Sequence, residues 1–132
     1  MKKVAEALQF NKIRYLEIKG SASQKSKNLE KYQNDSEERV LLLNVMDESA
    51  SGANLTVANH AVFLCPLLAP SQEVYEACET QAIGRLRRYG QERHVHIYRF
   101  LSMNTIDVQV YEERSHTKVD EDSFAVVFSC TI

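Results

Sequence analysis

Two uninterrupted apolar runs, "RVLLLNV" at 39–45 and "AVFLC" at 61–65, limit the fold more than any other feature. A strand with no polar alternation needs cover on both faces, and parallel sheets sandwiched by helices supply it. The neighbouring segments fit that reading. "MKKVAEALQF" has the helical period, with Val4, Ala7 and Leu8 on one face. "IRYLEIK" (13–19) alternates as a strand, and "SQKSKNLEKYQ" (23–33) is a polar helix anchored by Leu29 and Tyr32. A helix is expected from about Gln72 to Tyr89, a strand at 94–101 and a closing helix at 105–114. Repeated strand–helix–strand order predicts an α/β chain with a mainly parallel sheet. Ligands of such sheets sit beyond the carboxyl ends of the strands. The 132 residues suffice for one core.

Charge is uneven on a chain of formal net charge −2. Residues 1–31 hold eight Lys/Arg against three Glu, and residues 81–99 hold five Arg against one Glu. A basic face on a near-neutral chain suits an anionic partner, although a solvated helix surface has the same composition. Cys65, Cys78 and Cys130 are odd in number and widely spaced, which argues against a disulfide scaffold or a zinc ribbon. No apolar run reaches the ~18 residues of a membrane span. The opening "MKKVAEALQF" has no apolar core of a secretory leader.

The densest cluster is "QAIGRLRRYGQERH" (81–94), with four arginines in fourteen positions. On a helix running to Tyr89, the residues Val74, Tyr75, Cys78, Ala82, Leu86 and Tyr89 form the core stripe. Gln81, Gly84, Arg85 and Arg88 share the adjoining face, and Arg87 points elsewhere. Two guanidinium forks on one face suit phosphate oxygens. Cations near a helix C-terminus also complement its dipole, but that leaves Gln81 and Gly84 unexplained. Gly84 within the helix marks either close packing or a close ligand, and Gly90 sits where a left-handed C-cap glycine would follow.

"QAIGRLRRYGQ" resembles motif VI of superfamily-two helicases, in the form used by Swi/Snf-type remodelling ATPases. "KGSASQKSKNLEKYQND" resembles the Gly-Ser segment and helix before motif V. "VLLLNVMDESASGANLTVANHAVFLCP" resembles motif V with its following strand, and "HVHIYRFLSMNTIDVQVYEER" the strand and helix after motif VI. The resemblance covers residues 1–114 and implies a partial second RecA-like lobe, a three-layer α/β unit of the P-loop NTPase type. The lobe's first strand would lie before residue 1. Residues 115–132 are then a tail, whose "FAVVF" suits an edge strand, a cover for the core or an unstructured end.

By this resemblance Arg88 matches the arginine finger, and Arg85 its companion toward the nucleotide phosphates. Gln81, Gly84, Gly52 and Asn54 match nucleotide-side positions, and Thr56, Lys25 and Gln91 match positions facing DNA. ATP with Mg²⁺, double-stranded DNA, a first RecA-like lobe, chromatin proteins and a nuclear setting are implied, with no membrane partner. The Walker lysine and magnesium-binding acids belong to the first lobe, so turnover by these residues alone is not expected. The other reading is a non-catalytic DNA- or protein-binding module that keeps the basic surface. The motif V segment departs from the family's longer glycine-rich form, and "GSASQKS" (20–26) lacks P-loop spacing. Asp47 and Glu48 are read as loop residues rather than a Walker B pair. His94 and His96 are read as partly buried and hydrogen-bonded, and Tyr32, Tyr89 and Tyr98 as core edges.

Overall fold

The computed structural model describes residues 2–34, 37–46, 52–119 and 126–131. The chain forms two compact units, Met1–Ala53 and Asn54–Ile132.

The first unit opens with helix α1, Lys2–Phe10. Its end is closed by Ile13 N–H donating to Leu8 C=O (2.9 Å), with Lys12 left-handed at φ 57°. Such an end usually carries glycine, and a lysine there has a small conformational cost. Strand β1 (Tyr15–Glu17) pairs in parallel with β2 (Val40–Leu42), Tyr15 opposite Val40. Helix α2 (Ala22–Asn34) connects them. Ile18, Tyr32 and Leu42 are the buried apolar residues of this unit. Glu38 is buried too, and its carboxylate meets Arg14 at 3.0 Å and Lys31 at 3.3 Å.

The second unit holds parallel strands β3 (His60–Phe63) and β4 (Val95–Phe100), with helix α3 (Gln72–Gly84) between them in sequence. Ser71 caps α3 by accepting from Val74 N–H at 3.2 Å. Helix α4 (Ile106–Ser115) starts at Thr105, whose hydroxyl oxygen accepts from Asp107 N–H. Strand β5 (Val126–Thr131) then pairs antiparallel with β4. Of the uses open to the tail, 126–131 takes that of an edge strand. Val95, Ile97, Leu101, Tyr75, Tyr111, Leu55 and Leu86 are buried. Arg99 pairs with Glu79 at 3.0 Å and lies 5.5 Å from the centre of the Phe63 ring, tying α3 to both parallel strands.

Two expectations need correction. The helix expected to reach Tyr89 ends at Gly84. Arg85 C=O accepts from Leu55 N–H at 2.8 Å, a tertiary bond that competes with continuing the helix. Tyr89 is fully exposed instead of completing a core stripe. β3 is not covered on both faces by the described residues, since Val62 is 52% exposed. The parallel strand pairs of the expected α/β fold are β1–β2 in the first unit and β3–β4 in the second.

Candidate functional site

The arginine segment is a loop built on the end of α3. Arg85 still has helical backbone angles, but beyond it the chain makes tight turns, with Leu86 N–H donating to Ile83 C=O at 3.0 Å. Gly90 adopts φ +99°, which a side-chain-bearing residue rarely accepts. It lies inside a turn closed by Gln91 N–H on Arg88 C=O at 3.0 Å. Gln81, Gly84 and Arg85 keep helical spacing at the end of α3, while Arg88 lies beyond it, so the expected four-residue face is not continued to Arg88 by the helix. Arg85 is only 2% exposed, while Arg87, Arg88 and Gln81 are exposed. A Cβ built at Gly84 meets nothing within 4 Å, so close packing does not account for that glycine.

Within the second unit, residues 54–59 meet this segment, and Asn54 Oδ1 accepts from Thr56 N–H at 3.0 Å, forming a local turn. Gly52, in the first unit, is left-handed at φ +73°. Leu55 is buried and donates to Arg85 C=O. Gln91 was expected to face DNA, but its side chain turns inward. Its Nε2 lies 2.8 Å from Ala58 C=O, 3.1 Å from Leu86 C=O and 3.2 Å from Thr56 C=O. Arg93 Nη2 donates to Val57 C=O at 2.5 Å. Asn59 Nδ2 donates to His94 C=O at 3.2 Å, and His96 N–H to Asn59 C=O at 2.8 Å. Residues 54–59 and 85–96 are thus stitched together mostly through main-chain carbonyls.

The first unit carries its own cleft, of about 270 Å³, beyond the carboxyl ends of β1 and β2. Lys19, Gly20, Lys25 and Asn44 line it with Glu17, Ile18 and Leu42. Gly20 is left-handed at φ +92° and admits the chain to α2, where Ser21 Oγ accepts from Gln24 N–H at 3.2 Å. Lys25 therefore stands where a basic residue is able to meet an anion. Asn44 escaped the sequence reading because nothing in its pattern marks it, and Lys19 because it reads as the polar end of a strand.

The weaker candidates resolve as follows. His60, His96 and Tyr98 stack, the His60 and His96 ring centres 4.9 Å apart, and His60 Nδ1 lies 3.0 Å from the Tyr98 hydroxyl. His94 is exposed and precedes the strand, so it does not share a strand face with His96. Among the described residues no three His, Cys, Asp or Glu gather to hold a metal ion. No helix among them is long and apolar enough to cross a membrane. Tyr32 is buried, Tyr98 half-buried and Tyr89 exposed, so the core-edge reading fails for Tyr89. Asp47 and Glu48 lie outside the described residues.

Comparison with known proteins adds the following. No family model matches the chain. The chain is 50% identical over 114 residues to the DNA (cytosine-5-)-methyltransferase DMT5 of Cryptococcus neoformans, covering 85% of this chain and 5% of that protein. It is 32% identical over 106 residues to the DNA repair protein rad8 of Schizosaccharomyces pombe, covering 79% of this chain and 9% of that protein. An uncharacterized ATP-dependent helicase of the same yeast is 34% identical over 112 residues, covering 82% of this chain and 10% of that one. The chain thus spans a tenth or less of these relatives. Among solved structures, the crystal structure of the C-terminal part of the Fun30 ATPase domain superposes with a TM-score of 0.69 at 18% identity, covering 83% of this chain and 34% of that one.

Proposed function

We propose that this chain, a C-terminal RecA-like lobe of the Swi/Snf helicase type, acts as one half of an ATP-driven motor on double-stranded DNA. The observation that carries the reading is the direct bond from Leu55 to Arg85, which fixes the 54–58 loop against the arginine segment. A loop on the DNA side and cations on the nucleotide side are then parts of one body. Arg88 is exposed and able to reach across to a nucleotide held by a first lobe. Phosphoryl transfer builds charge on phosphate oxygens, and a positioned arginine stabilises it. Arg85 contributes from beneath, its guanidinium largely shielded from water, where its charge acts more strongly.

Mg²⁺ would neutralise charge on the nucleotide's phosphates, held by acids of the first lobe. The arginines of the second unit suit the nucleotide's phosphates themselves. In this reading Gln81, Gly84, Gly52 and Asn54 border the nucleotide, and Thr56 and Lys25 face the DNA backbone. A nuclear setting and chromatin partners follow from the same reading.

The test places a first RecA-like lobe ahead of these residues in one chain. Arg88→Ala is expected to cut ATP hydrolysis by about two orders of magnitude or more, on the scale of arginine fingers. Arg87→Ala, also exposed, is expected to stay within a few-fold. Equal and mild effects of both would leave only a basic binding surface and overturn the motor reading.

A further inference from the structure

Gln91 and Arg93 are placed to do something other than touch DNA. An amide nitrogen has two hydrogens, and Gln91 Nε2 meets three carbonyl oxygens within 3.2 Å. Its donors are saturated and one of them is shared. Gln91 Oε1 is engaged as well, accepting from Arg93 N–H at 3.2 Å. Arg93 Nη2 reaches Val57 C=O at 2.5 Å and Thr56 C=O at 3.4 Å. A charged donor on a carbonyl makes one of the stronger hydrogen bonds available to a protein. The targets Thr56, Val57 and Ala58 are three consecutive main-chain carbonyls. Their grip is indifferent to the loop's side chains, which remain available to a ligand.

The other end of this clip leads to the arginines. Gln91 N–H donates to Arg88 C=O at 3.0 Å, and Gln91 Nε2 also holds Leu86 C=O. A continuous path therefore runs from the loop carbonyls, through the Gln91 side chain and backbone, to the residue carrying the exposed guanidinium. We infer that Gln91 and Arg93 are positioning residues that clamp the 54–58 loop to the Arg85–Arg88 segment, so that DNA engaged by the loop sets the placement of Arg88. This rests on the motor reading above for its consequence, but the clamp itself is a property of the second unit.

The two parts are tested separately. In the 132-residue chain, amide hydrogen exchange is compared for the parent, Gln91→Met and Arg93→Met. Protection of Leu55 and Ala58 N–H is expected to fall at least tenfold in both variants, with that of the β4 core at Val95 and Ile97 unchanged. Unchanged protection at Leu55 and Ala58 overturns the clamp. Loss of protection throughout the second unit makes Arg93→Lys decisive: this donor-retaining variant must recover the loop, or the clamp is only a folding contact. Duplex DNA affinity is expected within twofold of the parent in both Met variants. A weaker affinity in Gln91→Met, or a weaker affinity with a shallower salt dependence in Arg93→Met, makes that residue a DNA contact and overturns the inference.

With a first lobe in the same chain, the Met variants should lose about tenfold of the DNA-stimulated kcat at saturating DNA. The DNA-free rate and the KM for ATP should stay within twofold, and Arg93→Lys should restore stimulation. Full stimulation in the Met variants overturns the coupling. A parent that hydrolyses no ATP defeats the motor reading, while the exchange result still decides the clamp.

Discussion

Arg85 and Arg88 are three residues apart and differ in kind. Arg85 is buried and its carbonyl holds Leu55, so its side chain is part of the packing as well as a cation. Arg85→Ala is expected to lower stability by about 1–2 kcal/mol, seen as a lower Tm, because the packing of a buried stem is lost. Arg88→Ala should leave the stability within about 0.5 kcal/mol of the parent, as surface changes do. The motif named both arginines from sequence. It did not reveal which is buried, because that depends on a partner thirty residues upstream. Tyr75 shows the same dependence on packing. It is 3% exposed, and burial, with the charge and hydrogen bond of Glu79 next, pushes its hydroxyl up to about 12 from 10.0. The raised value means that the folded state favours the neutral phenol. Its contribution is fully present below pH 10 and is lost as pH rises through 12. Urea unfolding at pH 9 and pH 11.5 should show the parent losing about 2 kcal/mol more than Tyr75→Phe over that interval. Equal losses would mean that Tyr75 ionises freely.

At the scale of elements, the order of strands and helices was readable because burial imposes period on sequence. The segments at 2–10, 22–34 and 106–115 match their expected helices closely. The length of α3 was not readable, because Leu86 stays in phase with the apolar stripe and is buried whether or not the helix continues. Its carbonyl then serves Gln91 rather than a further helical turn. The turn chemistry makes a paired prediction with opposite signs. Gly84 ends α3 with open space around it, so Gly84→Ala should stabilise by about 0.5–1 kcal/mol through helix propensity. Gly90 is left-handed at φ +99°, so Gly90→Ala should destabilise by about 1 kcal/mol or more despite equally open space. Thermal melts of the two variants shifting in the same direction would show that the helix end is misplaced. β5 was left open in the sequence because an apolar run beside acidic residues fits an edge strand and a loose end alike. Pairing with β4 depends on an available edge, which composition does not encode.

At the scale of the whole molecule, net charge says little about an anionic partner, since a formal −2 coexists with eight Lys/Arg against three Glu in residues 1–31. Not all of that basic charge is available. Arg14 is engaged by Glu37 and Glu38, and Lys31 by Glu38. Lys19 meets the partly buried Glu17 at 3.0 Å, while its own side chain is exposed to solvent. Lys19 and Lys25 line the cleft beyond β1 and β2, the end of a parallel pair where ligands collect. The chain should therefore bind duplex DNA without regard to sequence. Affinity should fall about tenfold or more between roughly 50 and 200 mM salt, as expected when two or three phosphates are neutralised. Changing Lys19 and Lys25 together to Gln should reduce the salt slope by about 1–2 and weaken all duplexes alike, because each lost contact releases one fewer counterion. Fluorescence anisotropy across a salt series measures both quantities. A slope that survives the double substitution would move the DNA contact away from the cleft. Affinity indifferent to salt would remove phosphate recognition from the first unit altogether.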